Sequence, residues 1–199
     1  MEPLTTIVVT YNRLEYSKRT IDSLRKTTPN AEIIVYDNHS TEAGFYEWLL
    51  QDGFKHPHQV IMNDKNDGWG KAVNDALRFS NTEYILVSNN DVIYHDGWYE
   101  KCLQAYKDNL KLGILGVWKH PAHGVLETRG NLVIKDQMPA VGWLLKRSVI
   151  NDIGAFKENG PANMKGGNGE DVDYCIRTRE KGYMVAGLLE DVGKHIDGE

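Results

Sequence analysis

The sequence predicts an open α/β fold, a mostly parallel central sheet flanked by helices in a single domain. Two observations carry this. Short β-branched apolar runs alternate with helix-period segments from residue 5 to residue 87, the alternation expected of parallel strands joined by helical crossovers. Three of those runs also stop on polar clusters, Thr10-Tyr11-Asn12, Asp37-Asn38 and Asn89-Asn90-Asp91. In open α/β sheets ligands bind beyond the carboxyl ends of the strands, so these clusters are where a site is sought.

Taken in order, Thr5 to Thr10 is a strand and Leu14 to Thr27 a helix, with Ile21 and Leu24 at helical spacing before Pro29. Glu32 to Tyr36 is the second strand, and Thr41 to Leu50 a helix with Phe45, Trp48 and Leu49 on one face. Val60 to Met62, Gly70 to Phe79 and Glu83 to Val87 follow as strand, helix and strand. The second half is less regular. It holds a helix from Trp98 to Asn109, a strand near Ile114 to Trp118, short strands around Val125 to Ile134, and a helix from Lys146 to Ile153 ended by Gly154. The Gly- and Asn-rich stretch from Lys157 to Gly169 is expected to be a mobile loop, a lid over a site. A helix from Glu170 to Lys181 and a strand from Tyr183 to Leu188 precede a polar tail.

The 199 residues are 41% hydrophobic, enough for one compact core. A formal net charge of -5 announces no broad polyanion-binding surface, which argues against a nucleic-acid partner. Cys102 and Cys175 lie far apart, in no metal-ligand spacing, and read as buried thiols. Met1 runs directly into Ile7-Val8-Val9, and no stretch approaches the roughly 20 apolar residues of a membrane span. These features predict a soluble, cytoplasmic chain without a leader.

Each polar motif admits two readings. Asp37-Asn38-His39-Ser40 suits a turn and helix cap as well as a ligand site. Asn63 to Lys71 opens a helix with a glycine-containing segment able to receive an anion, yet matches no Walker or dinucleotide fingerprint. Ser88-Asn89-Asn90-Asp91 offers one carboxylate, sufficient for Mg²⁺ or Mn²⁺ when phosphate oxygens complete the shell, or forms an Asn-rich turn. Gly169-Glu170-Asp171-Val172-Asp173 crowds three carboxylates at a helix start, where the macrodipole favours them and where one carboxylate is also suited to act as a general base. His195 alone reads as a solvated tail residue.

In their order, these pieces resemble the inverting glycosyltransferases of family 2, with the GT-A fold, and especially the rhamnosyltransferase-like branch. The resemblance runs through Val8 to Arg13, Val35 to Ser40, Asn66 to Gly70, Ser88 to Asp91, Gly142 to Arg147, Ile153 to Phe156 and Gly169 to Arg177 with Gly182-Tyr183. It implies a nucleotide-sugar-binding half, residues 1–95, and an acceptor and catalytic-base half, residues 96–199. Thr10, Tyr11, Asn12, Asp37, Asn66, Lys71, Asn89, Asn90 and Asp91 are then expected to hold a UDP- or dTDP-linked sugar. Asp91 and His195 would ligate a divalent metal, Mn²⁺ or Mg²⁺; Asp171 would be the base; Glu170 would orient the hydroxyl acceptor, a glycan or similar molecule. Trp143 would offer a flat ring to acceptor or sugar. Where the family often carries two aspartates, this chain has Asn89 and Asn90 before Asp91. A nucleotidyltransferase and a non-catalytic nucleotide-sugar-binding module are the competing classes.

Overall fold

The computed structural model describes residues 2–52, 58–118, 124–158 and 169–196. Strands β1 (Leu4–Thr10), β2 (Glu32–Asp37), β3 (His58–Met62) and β4 (Tyr84–Asn89) alternate with helices α1 (Leu14–Thr27), α2 (Phe45–Asp52) and α3 (Trp69–Leu77). Then come β5 (Val92–Tyr94), α4 (Trp98–Asp108), β6 (Leu112–Gly116), β7 (Val125–Arg129), β8 (Leu132–Lys135), β9 (Gly142–Lys146), α5 (Arg147–Ile153), α6 (Glu170–Glu180), β10 (Met184–Leu188) and β11 (Gly193–His195).

Nine strands form one sheet in the order β3-β2-β1-β4-β9-β6-β10-β8-β7. Only β9 and β8 run against the others, so the sheet is mostly parallel, as expected. Its two faces are separated by the two-residue period of a strand. Leu4 and Val8, Ile33 and Val35, Tyr84 and Leu86 pack into the core under α1, α2 and α4. The intervening Ile7 and Val9, Ile34 and Tyr36, Ile85 and Val87 pack under α3, α5 and α6. Burial on both faces is why these strands read as continuous apolar runs. Both cysteines are buried, Cys102 in one core and Cys175 in the other.

Helix α1 buries Ser17, Thr20, Ile21 and Leu24. Its apolar members pack on the sheet, and its hydroxyls face β5: Thr20 Oγ1 accepts from the Val92 amide at 3.0 Å and Ser23 Oγ from the Tyr94 amide at 3.1 Å. The other edge of β5 pairs antiparallel with β11, placing His195 opposite Val92. This small ribbon replaces the expected polar tail. A second difference lies at β9, a full strand between β4 and β6 where only the following helix was expected. Most of the stretch expected to form a lid, residues 159–168, lies outside the described residues. No helix among the described residues is long and apolar enough to cross a membrane.

Candidate active site

On the β3-β2-β1-β4 side, successive strands step away from β1 in opposite directions, so the carboxyl ends of β1 and β4 flank a topological switch point. A cleft of about 170 Å³ opens there, lined by Thr10, Tyr11, Asn38, Asn66, Trp69 and Asp91, with Asn89 and Asn90 beside Asp91. Small-molecule sites span roughly 300–1,000 Å³. The cleft therefore seats one moiety of a nucleotide-sized ligand.

Asp91 is the charged group of this cleft. Its Oδ2 accepts from Arg13 Nη1 at 2.9 Å and lies 3.4 Å from His195 Nε2, while Oδ1 is buried with no hydrogen-bond partner among the described residues. An unmet buried carboxylate oxygen is costly unless a donor or cation meets it. His195 reaches Asp91 because the Ile196 amide donates to the Asp91 carbonyl at 2.9 Å, closing the β5–β11 ribbon, and its ring lies 5.1 Å from that of Trp118. Arg13 reaches it through strained backbone: Asn12 and Arg13 are consecutive non-glycine residues with φ of 56° and 60°. Hydrogen bonds hold that turn, with Asn12 Oδ1 accepting from the Thr41 and Glu42 amides and Asn90 Nδ2 donating to the Asn12 carbonyl.

Oxygen-preferring cations of the Mg²⁺ and Mn²⁺ kind use few protein carboxylates and take phosphate oxygens readily. Asp91 Oδ1 with His195 fits such an ion. Among the described residues no group of three or more His, Cys, Asp or Glu side chains is gathered for one. The remaining ligands would have to come from substrate and solvent.

Several residues expected to touch ligand also hold the scaffold. Asp37 is fully buried; its carboxylate accepts from Thr10 Oγ1 at 2.9 Å, Ser40 Oγ at 2.5 Å and the Ser40 amide at 2.9 Å, which spends it on tying the β1 and β2 ends together. Asn12 and Asn90 likewise secure turns, Asn90 also donating to Ser17 Oγ at 2.8 Å. Lys71 is paired with Asp75 one turn along α3, which raises its pKa, and does not line the cleft. Thr10, Tyr11, Asn66, Asn89, Asn90 and Asp91 do line it. Asn38, passed over in the sequence in favour of Asp37, also does: it donates to Asn66 Oδ1 at 2.9 Å and accepts from the Asp67 amide at 3.1 Å, locking the loop before α3.

Trp143 is the clearest correction. Its ring is fully buried on β9 and its indole N–H donates to the Pro139 carbonyl at 2.9 Å, leaving no face for a sugar. The cleft's aromatic side chains are Tyr11, 45% exposed, and Trp69, which the sequence displayed as a lone large ring between Gly68 and Gly70 in a polar segment.

Glu170 and Asp171 open α6, both half-buried. Asp171 Oδ1 accepts from the Val172 amide at 2.7 Å, leaving Oδ2 for another partner. Among the described residues the buried Glu170 Oε2 has no hydrogen-bond partner, and burial, followed by the nearby Asp171 charge, holds the Glu170 pKa above the usual carboxylate range. One turn on, Tyr174 stacks on Phe156 at 3.9 Å, and Phe156 meets Trp69 edge-on at 5.4 Å. An aromatic chain thus links the base of α6 to the cleft wall. Asn74 clamps it, bonding both the amide and carbonyl of Phe156 at 2.9 Å.

This is an open α/β domain with a polar cleft at its topological switch point, the place where such folds bind ligands. The glycosyl transferase family 2 model matches residues 5–159, and the chain belongs to that family. It is 28% identical over 134 residues to chondroitin synthase of Escherichia coli, covering 66% of this chain and 19% of that protein. It is also 28% identical over 120 residues to an uncharacterized glycosyltransferase of Haemophilus influenzae, covering 60% of this chain and 38% of the other. The chain thus spans well under half the length of these relatives. Among solved structures it resembles the mannosyltransferase PcManGT from Pyrobaculum calidifontis in complex with GDP-Man and Mn²⁺. There the TM-score is 0.72 at 17% identity, over 96% of this chain and 57% of that one. It also resembles GalNAc-T7 with UDP, GalNAc and Mn²⁺, with a TM-score of 0.76 at 13% identity over 100% and 45% of the two chains. At these identities the likeness establishes the GT-A fold.

Proposed function

We propose that this chain is the catalytic domain of an inverting glycosyltransferase of the rhamnosyltransferase-like branch. It moves a sugar from a UDP- or dTDP-linked donor to a hydroxyl of a glycan acceptor. The observation carrying the reading is the unmet Asp91 Oδ1 beside His195 in the switch-point cleft, which suits a diphosphate with its counter-cation. Residues 1–95 supply the donor side and residues 96–199 the acceptor and base side.

Tyr11 covers the nucleobase and ribose, with Asn38 and Asn66 at the rim and Asn89 beside the phosphates. Asp91 and His195 would hold Mn²⁺ or Mg²⁺, which when bound would supply positive charge to offset that of a departing nucleoside diphosphate. Asp171 Oδ2 takes the proton from the acceptor hydroxyl as that oxygen bonds to the anomeric carbon and the carbon–phosphate-oxygen bond breaks. Attack from the side opposite the leaving group inverts configuration. Glu170 orients the acceptor.

A second assignment within the same reaction makes Glu170 the base, favoured by its unmet Oε2 and raised pKa. Single-turnover transfer with Asp171→Asn and Glu170→Gln separates them, since the base is the residue whose variant binds donor but does not transfer. The reaction itself is tested by product. Release of nucleoside diphosphate on adding acceptor, abolished by chelator, supports the proposal. Pyrophosphate would indicate a nucleotidyltransferase, and binding without turnover a non-catalytic module. A thermal-shift screen of nucleotide sugars with Mn²⁺ identifies the donor.

A further inference from the structure

With Trp143 sealed in the core, the surface that receives the transferred sugar has to be found elsewhere. Trp69 lines the same cleft as Asp91 and Tyr11. Its position between the two halves is set from behind: Phe156 meets it edge-on, Tyr174 stacks on Phe156, and Tyr174 follows Glu170 by one turn of α6. The ring is therefore packed through Phe156 toward α6 while sharing the cleft with Tyr11. In the reaction proposed above, the anomeric carbon lies between a diphosphate at Asp91 and a carboxylate on α6. The wall of that interval is Trp69.

Two details make it a built wall. The first is rigidity. Asn74 clamps both backbone groups of Phe156, and a Cβ on Gly70 would collide with the Lys157 carbonyl, so the start of α3 is seated directly on the chain that carries Phe156. The second is an unused donor. Among the described residues the buried Trp69 indole N–H has no hydrogen-bond partner, whereas that of Trp143 has Pro139 and that of Trp98 has Thr27. Buried indole N–H groups almost always find an acceptor, and the ring that carries this one lines the cleft, where a ligand oxygen would supply it.

We propose that Trp69 forms the donor-sugar subsite: its ring packs against the apolar face of the transferred hexose and its indole N–H donates to a hydroxyl oxygen of that sugar, so that it reads the sugar and not the nucleotide. Flat rings pack well on sugar faces, while one placed donor fixes orientation. The proposal rests on the nucleotide-sugar reading of the cleft.

The test is calorimetry of the whole chain with Mn²⁺ against UDP-glucose, dTDP-glucose and GDP-mannose, each paired with its own nucleoside diphosphate. The sugar's contribution is the ratio of the two affinities. Trp69→Phe keeps a ring and removes the N–H, and is expected to cut the sugar's contribution about fivefold, the worth of one hydrogen bond. Trp69→Leu removes the ring and is expected to cut it tenfold or more. In both variants the affinity for nucleoside diphosphate alone stays at the wild-type value. Equal weakening of both ligands, or no change in either, overturns the assignment of Trp69 while leaving the function standing. Failure of the wild-type chain to bind any of the six ligands overturns the functional reading and the subsite with it. Unfolding of Trp69→Leu leaves the Trp69→Phe comparison decisive.

Discussion

The Arg13–Asp91 pair makes a two-sided prediction. Replacing Arg13 by Gln removes a guanidinium 2.9 Å from a carboxylate whose side chain is 8% exposed, while that of Arg13 is 43% exposed. Fully exposed pairs contribute about 0.2–1 kcal/mol, and stranding a buried charge costs about 3–5 kcal/mol. A half-open pair falls between, so Arg13→Gln should lose about 1–2 kcal/mol, a fall of about 2–8 °C in melting temperature for a chain of this size. The same change strips positive charge from beside the Asp91 carboxylate. A unit charge 4 Å away is worth about 1 kcal/mol in water and about 4 kcal/mol near a protein surface, so affinity for Mn²⁺ without nucleotide should rise about tenfold. Denaturant titration with and without Mn²⁺, together with direct Mn²⁺ titration, measures both arms. A double-mutant cycle with Asp91→Asn isolates the coupling. An unchanged Mn²⁺ affinity in Arg13→Gln, with binding lost in Asp91→Asn, would refute the argument that Arg13 tempers the site.

Three other outcomes are expected. Asp171→Asn should lower single-turnover transfer by about 10²–10⁴ while donor affinity by calorimetry stays near wild type; full turnover would remove Asp171 as base. Glu170 has a folded-state pKa above its unfolded value, so the stability it contributes is present at low pH and is lost as pH rises through the folded pKa. Glu170→Gln should therefore melt with the wild type at pH 4 and above it at pH 8, and a variant less stable at pH 8 contradicts this. Asn74→Ala removes the hydrogen bonds to both Phe156 backbone groups and to Glu158. It should cost about 1–3 kcal/mol and expose the Phe156 amide to hydrogen exchange; persistent protection of that amide would show the clamp to be dispensable.

The first half of the fold was legible because its physics is local. A strand buried on both faces must be apolar throughout, as in Ile33 to Tyr36, and a helix on a sheet must show a stripe, as Ile21 and Leu24 do. Strand β9 escaped because Gly142–Lys146 runs straight into α5 with no breaker between them. Strands β5 and β11 have three residues each, too few for a period to appear. The site was legible as a set of strand ends but not side chain by side chain. Asp37 closes β2 and Asn38 follows it, both are buried, and composition cannot say that Asn38 is the one lining the cleft. A tryptophan in an apolar run, Trp143, and one in a polar run, Trp69, differ in setting, and the setting was the informative part. Arg13 carried no signal, since its reach to Asp91 depends on left-handed backbone at Asn12 and Arg13.

The three-residue pairing of β5 with β11 has a kinetic consequence. Asp91 follows β4 directly in the chain, whereas His195 arrives from ~100 residues later through a ribbon of very few hydrogen bonds. Contacts of long sequence separation form late because the intervening loop must be closed first. A chain whose parallel sheet is already assembled would thus hold Asp91 alone, and would acquire its second cation ligand only as the last strand docks. If the proposed Asp91–His195 cation site holds, competence for metal marks finished folding, and removing β11 should leave a folded sheet that binds Mn²⁺ less tightly.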